Sequence, residues 1–176
     1  YSEMKAYDLL VQGESGLLSI SGPPGPIGRV GVSVCDIGAG MNAVIAIQQA
    51  LLKRAKIGTG EAIHVSLFDS IADWMAVPYM LERYTGKAPE RIGVAHPQIA
   101  PYGDFRTQEG ASVLISIQNE REWARFACEV HEKPEWRTDE RYATNVARVR
   151  NRELVDGSIQ EIVGMLSRDE LIRRLR

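Results

Sequence analysis

The residue whose type and surroundings most suggest chemistry is Asp36, which opens an apolar helical pattern with Gly38 and Gly40 following within one turn. A carboxylate at a helix start faces free backbone N–H groups and the positive end of the helix dipole, and both favour its ionised form. The glycines remove side chains, so another backbone or a ligand can come close. An ionised carboxylate with small neighbours suits nucleophilic attack on an acyl group. The same position suits an ordinary N-cap, for which Asp is among the best residues. Spacing alone leaves both uses open, and they do not exclude one another.

Other motifs carry less. Gly13-Glu14-Ser15-Gly16 begins like a nucleophile elbow, but Leu17 stands where the closing glycine belongs. Gly22 to Gly28 has the glycine content of a phosphate loop. It lacks the Gly-Lys-Ser/Thr ending, and Pro23, Pro24 and Pro26 remove donors, so it reads as a plain loop. His96-Pro97 lies near Tyr102 in a polar stretch, where an imidazole suits proton transfer as well as a packing role. His64 reads as structural. No His, Cys or carboxylate set has metal-ligand spacing, and no metal site is expected. Trp74, Trp123 and Trp136 are too far apart for a stacking platform and read as core or interface anchors. The charged helix faces after Glu120 read as solvated.

These residues depend on the elements that hold them. Residues 6–18 read as a short buried helix, and Val30 to Val34 as an extended stretch. Asp36 to about Lys56 is the clearest helix: Met41, Val44, Ile45, Leu51 and Leu52 have helical spacing, and Gly58 stops it. Ala62 to Leu67 has a strand's composition. Asp69 to Tyr84 is helical and interrupted at Pro78. Gly86 to Gly103 is a long connection and the candidate domain boundary. Phe105 to Thr107 and Ser112 to Ile117 flank Glu109-Gly110, a hairpin signal. Glu120 to His131, Ala147 to Leu166 and Ser167 to Arg176 read as helices, with a polar loop at Arg137 to Arg141.

The chain has 176 residues, 44% hydrophobic and 25% charged, which excludes a disordered tail, a collagen-like chain and a disulfide mini-protein. Lys and Arg number 21 against 23 Asp and Glu, for a net charge of -2, so there is no basic footprint for nucleic acid. No apolar run approaches the roughly 20 residues of a membrane span. Cys35 and Cys128, far apart, argue against a disulfide framework and fit a reducing, cytoplasmic setting. The chain begins at Tyr1 rather than Met, and its last helical pattern runs to Arg176. It reads as an interior fragment, with part of any site outside it.

Lys5 to Gln12, Ser15 to Gly22 and Asp36-Ile37-Gly38-Ala39-Gly40-Met41 together resemble the class III CoA-transferase family, that of formyl-CoA and carnitine CoA-transferases. Gly58-Thr59-Gly60, Val65 to Asp69 and Gln118 to Trp123 extend the match over nearly the whole chain. The resemblance implies an α/β fold: a nucleotide-fold large domain joined by a linker to a small α+β domain, in an interlocked homodimer. Residues 1–68 would belong to the large domain, 69–100 to the linker helix and loop, and 101–176 to the small domain. Asp36 would be the nucleophile, forming an acyl–aspartyl anhydride and then an aspartyl-CoA thioester. Lys5, Ala6, Tyr7 and Asp8 would lie near CoA, with Lys5 a charge partner for a phosphate. Coenzyme A is then a substrate and no cofactor is held permanently.

The family's glycine-rich loop falls on Val94 to Gly103, which lacks the glycine run. That departure speaks against the formyl/oxalate pair, and the resemblance is nearer the succinyl, itaconyl, mesaconyl and citramalyl branch. A small dicarboxylic acid is therefore the expected acceptor, His96 and Tyr102 the candidate substrate-loop residues, and Arg29 and Arg91 candidate carboxylate partners. Two alternatives remain. α-Methylacyl-CoA racemases of the same fold use a Gly-His-Asp stretch, where this chain has Ala6-Tyr7-Asp8; a phenol is too weak an acid to replace imidazole at neutral pH. A non-catalytic CoA-binding fragment is the other.

Overall fold

Apolar periodicity becomes helix through most of the computed structural model, which describes residues 3–176; Tyr1, the residue that starts the chain, lies outside the described residues. Two units divide the chain, Tyr1–Gly93 and Val94–Arg176, each with its own core. The class is mixed α/β, rich in helix, with one two-stranded sheet among the described residues.

The first unit contains α1 (Asp8–Glu14), α2 (Leu17–Ile20), α3 (Val34–Ile57), α4 (Leu67–Trp74) and α5 (Ala76–Thr85). Helix α3 ends where Arg54 and Lys56 meet the helix dipole and Gly58, at φ 78°, donates its N–H to the Arg54 carbonyl. Ser66 caps α4 by accepting the Asp69 N–H at 3.2 Å. The break between α4 and α5 falls at Met75, not at Pro78. Pro78 is the third residue of α5, where an N–H has no intrahelical partner to lose.

Two expected strands are not present among the described residues. Val30 to Val34 bends instead: the Val34 N–H bonds the Val32 carbonyl at 2.9 Å, and the Val30 N–H is taken by the Gln12 side chain. Ala62 to Ser66 has no regular structure, and His64 there is exposed rather than structural. A strand exists only through its ladder, and no described residue of this unit supplies a neighbouring strand.

The core of the first unit is small: Val11, Cys35 and Ile71, with Leu17, Val34 and Leu67 against them. Of α3, only Cys35, Gly38 and Ala39 are buried. The helix expected to be buried is thus mostly exposed: Met41, Val44, Ile45, Leu51 and Leu52 all face solvent, because no described residue covers that face. Helix α3 is long and apolar enough, by length and composition, to cross a membrane, although no uninterrupted apolar run in it approaches that length. Small and amide residues dilute the run in sequence without shortening the helix.

The second unit opens with a hairpin of β1 (Tyr102–Arg106) and β2 (Ser112–Ser116), antiparallel, with Phe105 opposite Val113 and Gly103 opposite Ile115. Gly110 sits at φ 77° in the turn, a conformation that glycine adopts without strain. Asn119 caps α6 (Glu120–Arg125), which widens into a π turn over Phe126–Val130 and brings Phe126, Ala127 and Val130 to the core. The helix expected over Ala147 to Leu166 is two: α7 (Asn145–Arg150) and α8 (Arg152–Val163). Asn151 separates them, its Nδ2 donating to the Ala147 carbonyl at 2.9 Å in competition with the main chain. Helix α9 (Arg168–Leu175) is capped by Ser167.

Trp123 and Trp136 are buried core residues, as expected of anchors, and they stack on one another despite their separation in sequence. Their centroids are 5.9 Å apart and 3° from parallel, and Trp136 stacks in turn on Tyr142 at 4.9 Å. The 3-10 turn at Pro134–Arg137 folds the chain back to bring them together. The charged faces after Glu120 are not uniformly solvated. Arg148 is 1% exposed, pairs with Glu120 at 2.9 Å and lies over the Trp123 ring.

Candidate active site

Asp36 is the third residue of α3, not its N-cap; Ser33 holds the cap position and makes no side-chain bond there. The start of α3 has four N–H groups to place. They are those of Ser33, Val34, Cys35 and Asp36, which precede the first helical bond, Ile37 N–H to the Ser33 carbonyl; Val34 N–H bonds the Val32 carbonyl and Cys35 N–H bonds the Asp8 carboxylate. The Asp36 N–H has no acceptor among the described residues. Asp36 therefore presents an exposed carboxylate together with its own unspent backbone donor.

Behind Asp36 lies a buried polar chain. Asp8 Oδ1 accepts the Cys35 N–H at 2.9 Å and Oδ2 accepts Gln12 Nε2 at 2.8 Å; Gln12 Oε1 accepts the Val30 N–H at 2.9 Å. Gln12 is fully buried and Asp8 nearly so. Burial first, then the Asp8 and Asp36 carboxylates, push the Cys35 thiol up to about 11, so it stays protonated and is no nucleophile at neutral pH. Of the two glycines, Gly38 packs against the Trp74 indole, where an added Cβ would stand 3.5 Å from the ring, and Gly40 is open.

A groove of about 620 Å³ is lined by Lys5 and Ala6, by Leu10 and Val11 of α1, and by Ser66 to Phe68 at the start of α4. The lining is mainly apolar, with one cation, Lys5, and one anion, Glu14, and the size suits a small-molecule site. Ala6 is two residues from Asp8, so the groove and the start of α3 are held together through Asp8. Tyr7 is exposed and outside the groove lining; Asp8 points inward. Arg29 donates to the carbonyls of Val30 and Gly31, and Arg91 to that of Gly25, so both guanidinium groups are engaged with loop backbone.

His96 and Tyr102 belong to the second unit, their rings 5.4 Å apart. His96 Nδ1 accepts the Gln98 N–H at 3.1 Å, which leaves the proton of the neutral ring on Nε2. Three residues that sequence reasoning missed clamp this segment. Asn145 bonds the Ala100 N–H and the Gln98 carbonyl, Arg148 the Ala100 carbonyl, and Arg152 the carbonyls of His96 and Ile99. No local motif marks them, because their partners lie about fifty residues away. No group of three or more His, Cys, Asp or Glu residues in metal-binding geometry occurs among the described residues.

The sequence model of CoA-transferase family III matches residues 1–176, and the chain belongs to that family. It is 38% identical over 153 residues to a succinate–glutarate CoA-transferase of Agrobacterium fabrum, covering 86% of this chain and 38% of that protein. It is 35% identical over 158 residues to an acetyl-CoA:oxalate CoA-transferase of Acetobacter aceti, covering 89% and 40%. Among solved structures, a CAIB/BAIF family protein from Brucella suis superposes with a TM-score of 0.77 at 36% identity, over 99% of this chain and 46% of that one. The chain thus spans about two fifths of the length of these curated relatives.

Proposed function

We propose that the full-length gene product is a CoA-transferase that uses Asp36 as its nucleophile. The observation that carries this reading is the start of α3, where Asp36 presents an exposed carboxylate and a free N–H, and the preceding Cys35 is bonded to Asp8, two residues from Ala6 of the groove. The Asp36 carboxylate attacks the donor thioester; the acyl–oxygen bond forms, the carbon–sulfur bond breaks and CoA thiolate leaves. The thiolate attacks the aspartyl carbonyl of the anhydride, releasing the donor acid and leaving an aspartyl-CoA thioester. The acceptor carboxylate attacks that thioester and expels the thiolate, which then takes the acyl group from the new anhydride and frees Asp36. Each step passes through a tetrahedral oxyanion, which a preorganised N–H donor stabilises.

The acceptor in this reading is a small dicarboxylic acid. The relatives' names support that class: succinate and glutarate in one, oxalate in another. Lys5 and Ala6, which line the groove, contact CoA, with Tyr7 and Asp8 near it, and His96 and Tyr102 serve the substrate loop. The whole protein is a cytoplasmic, interlocked homodimer with a nucleotide-fold large domain, and CoA is its substrate rather than a resident cofactor. The test is incubation of the full-length protein with succinyl-CoA, trapping with hydroxylamine and peptide mapping by mass spectrometry. A hydroxamate on Asp36, absent in Asp36→Ala, is expected. No adduct with succinyl-, acetyl- or glutaryl-CoA, together with α-proton exchange in deuterated water, would replace the transferase by a racemase.

A further inference from the structure

The buried chain behind Asp36 has a donor–acceptor logic that assigns roles to two residues. Its ends are the backbone N–H groups of Val30 and Cys35, and both can only donate. Between them stand two side chains, Gln12 and Asp8, joined by one hydrogen bond of 2.8 Å. The Val30 end fixes Gln12 with Oε1 toward it and Nε2 toward Asp8. The Cys35 end claims one oxygen of Asp8, and the other must accept from Gln12. A chain closed by donors at both ends needs one acceptor-only group among its two side chains. Two amides cannot close it: either their NH₂ groups meet, or one of them turns its NH₂ onto the backbone N–H at its own end. Both residues are buried, so water does not make up the loss.

We propose that Asp8 and Gln12 are positioning residues whose relay pins the start of α3, so that the carboxylate and free N–H of Asp36 keep one orientation toward an acyl group. The relay ties α1, the bend at Val30 and the first turn of α3 to one another, and Asp36 directly follows the pinned Cys35. The catalytic part of this inference rests on the function proposed above; the relay itself does not.

The logic predicts a swap. Asp8→Asn alone leaves a donor facing a donor. Asp8→Asn with Gln12→Glu moves the acceptor-only group to the other position and satisfies both ends again. In the full-length protein, Asp8→Asn is expected to lower kcat by about tenfold to a hundredfold with KM for the acyl-CoA changed far less, the pattern of lost orientation. Amide exchange at Val30 and Cys35 is expected to speed up in Asp8→Asn and to slow again in the double variant, with kcat returning to within about threefold of the parent. A double variant that melts cooperatively yet regains neither exchange protection nor kcat overturns the proposal, and so does an Asp8→Asn protein with parental exchange. If the parent forms no hydroxamate at Asp36, the transferase reading falls, and the exchange arm alone decides whether the relay pins α3.

Discussion

His131 is buried, and neither ring nitrogen finds a hydrogen-bond partner among the described residues. It packs edge-on to Phe126 at 4.3 Å and against Trp136 at 5.4 Å. Burial, and after it the charge of Arg174, hold its pKa down at about 4, against an ordinary value of 6.5. Arg174 is itself paired with Glu132 and Glu170. In the unfolded chain the ring takes up a proton as the pH falls through about 6.5, while the folded ring stays neutral down to about 4. The unfolded state therefore binds more protons across this window. The contribution to stability is full above the window and is lost as the pH falls through it. The span of about 2.5 units amounts to ~3.4 kcal/mol, of which ~2 kcal/mol is gone by about pH 5. His131→Phe keeps an aromatic ring and removes both unpartnered nitrogens. Urea unfolding followed by tryptophan fluorescence, which Trp123 and Trp136 dominate in this unit, measures both proteins at neutral pH and at about pH 5. The parent should lose about 2 kcal/mol more than the variant on acidification. Parallel losses would refute the assignment, whatever constant offset the larger ring introduces.

Three further outcomes follow from particular contacts. Arg148→Met leaves Glu120 and the carbonyls of Ala100 and Tyr142 without their buried donor, and should cost about 3 kcal/mol or more, read as a fall in Tm; an unchanged Tm would sink this. At about pH 8, iodoacetamide should label Cys128 and spare Cys35, whose thiol burial and two carboxylates keep protonated; equal labelling in the native state would contradict it. Gly38→Ala places a methyl in ordinary contact with Trp74 and should be neutral or stabilise by up to ~1 kcal/mol through helix propensity, whereas Gly38→Leu should drive the indole away and lower Tm.

The sequence by itself determined the elements whose signals are local. The apolar period over α3 with Gly58 at its end and the Glu109-Gly110 turn both act through neighbours within a few residues. The resemblance around Asp36 likewise pointed to the family. The tertiary structure alone decided what depends on distant partners. Whether Val30 to Val34 or Ala62 to Leu67 becomes a strand depends on a neighbouring strand that composition cannot supply. That Trp123 and Trp136 stack, and that Arg148 is buried rather than solvated, depends on where the 3-10 turn and α7 return the chain. At the candidate site, Asp36 was legible as a type in a setting, but its place within the first turn of α3 was not. The start of α3 is set by Asp8 and Gln12, whose hydrogen bonds reach across 18 and 27 residues to Val30 and Cys35. A carboxylate's identity is written in one codon; its orientation is a property of the buried donors and acceptors that folding gathers behind it.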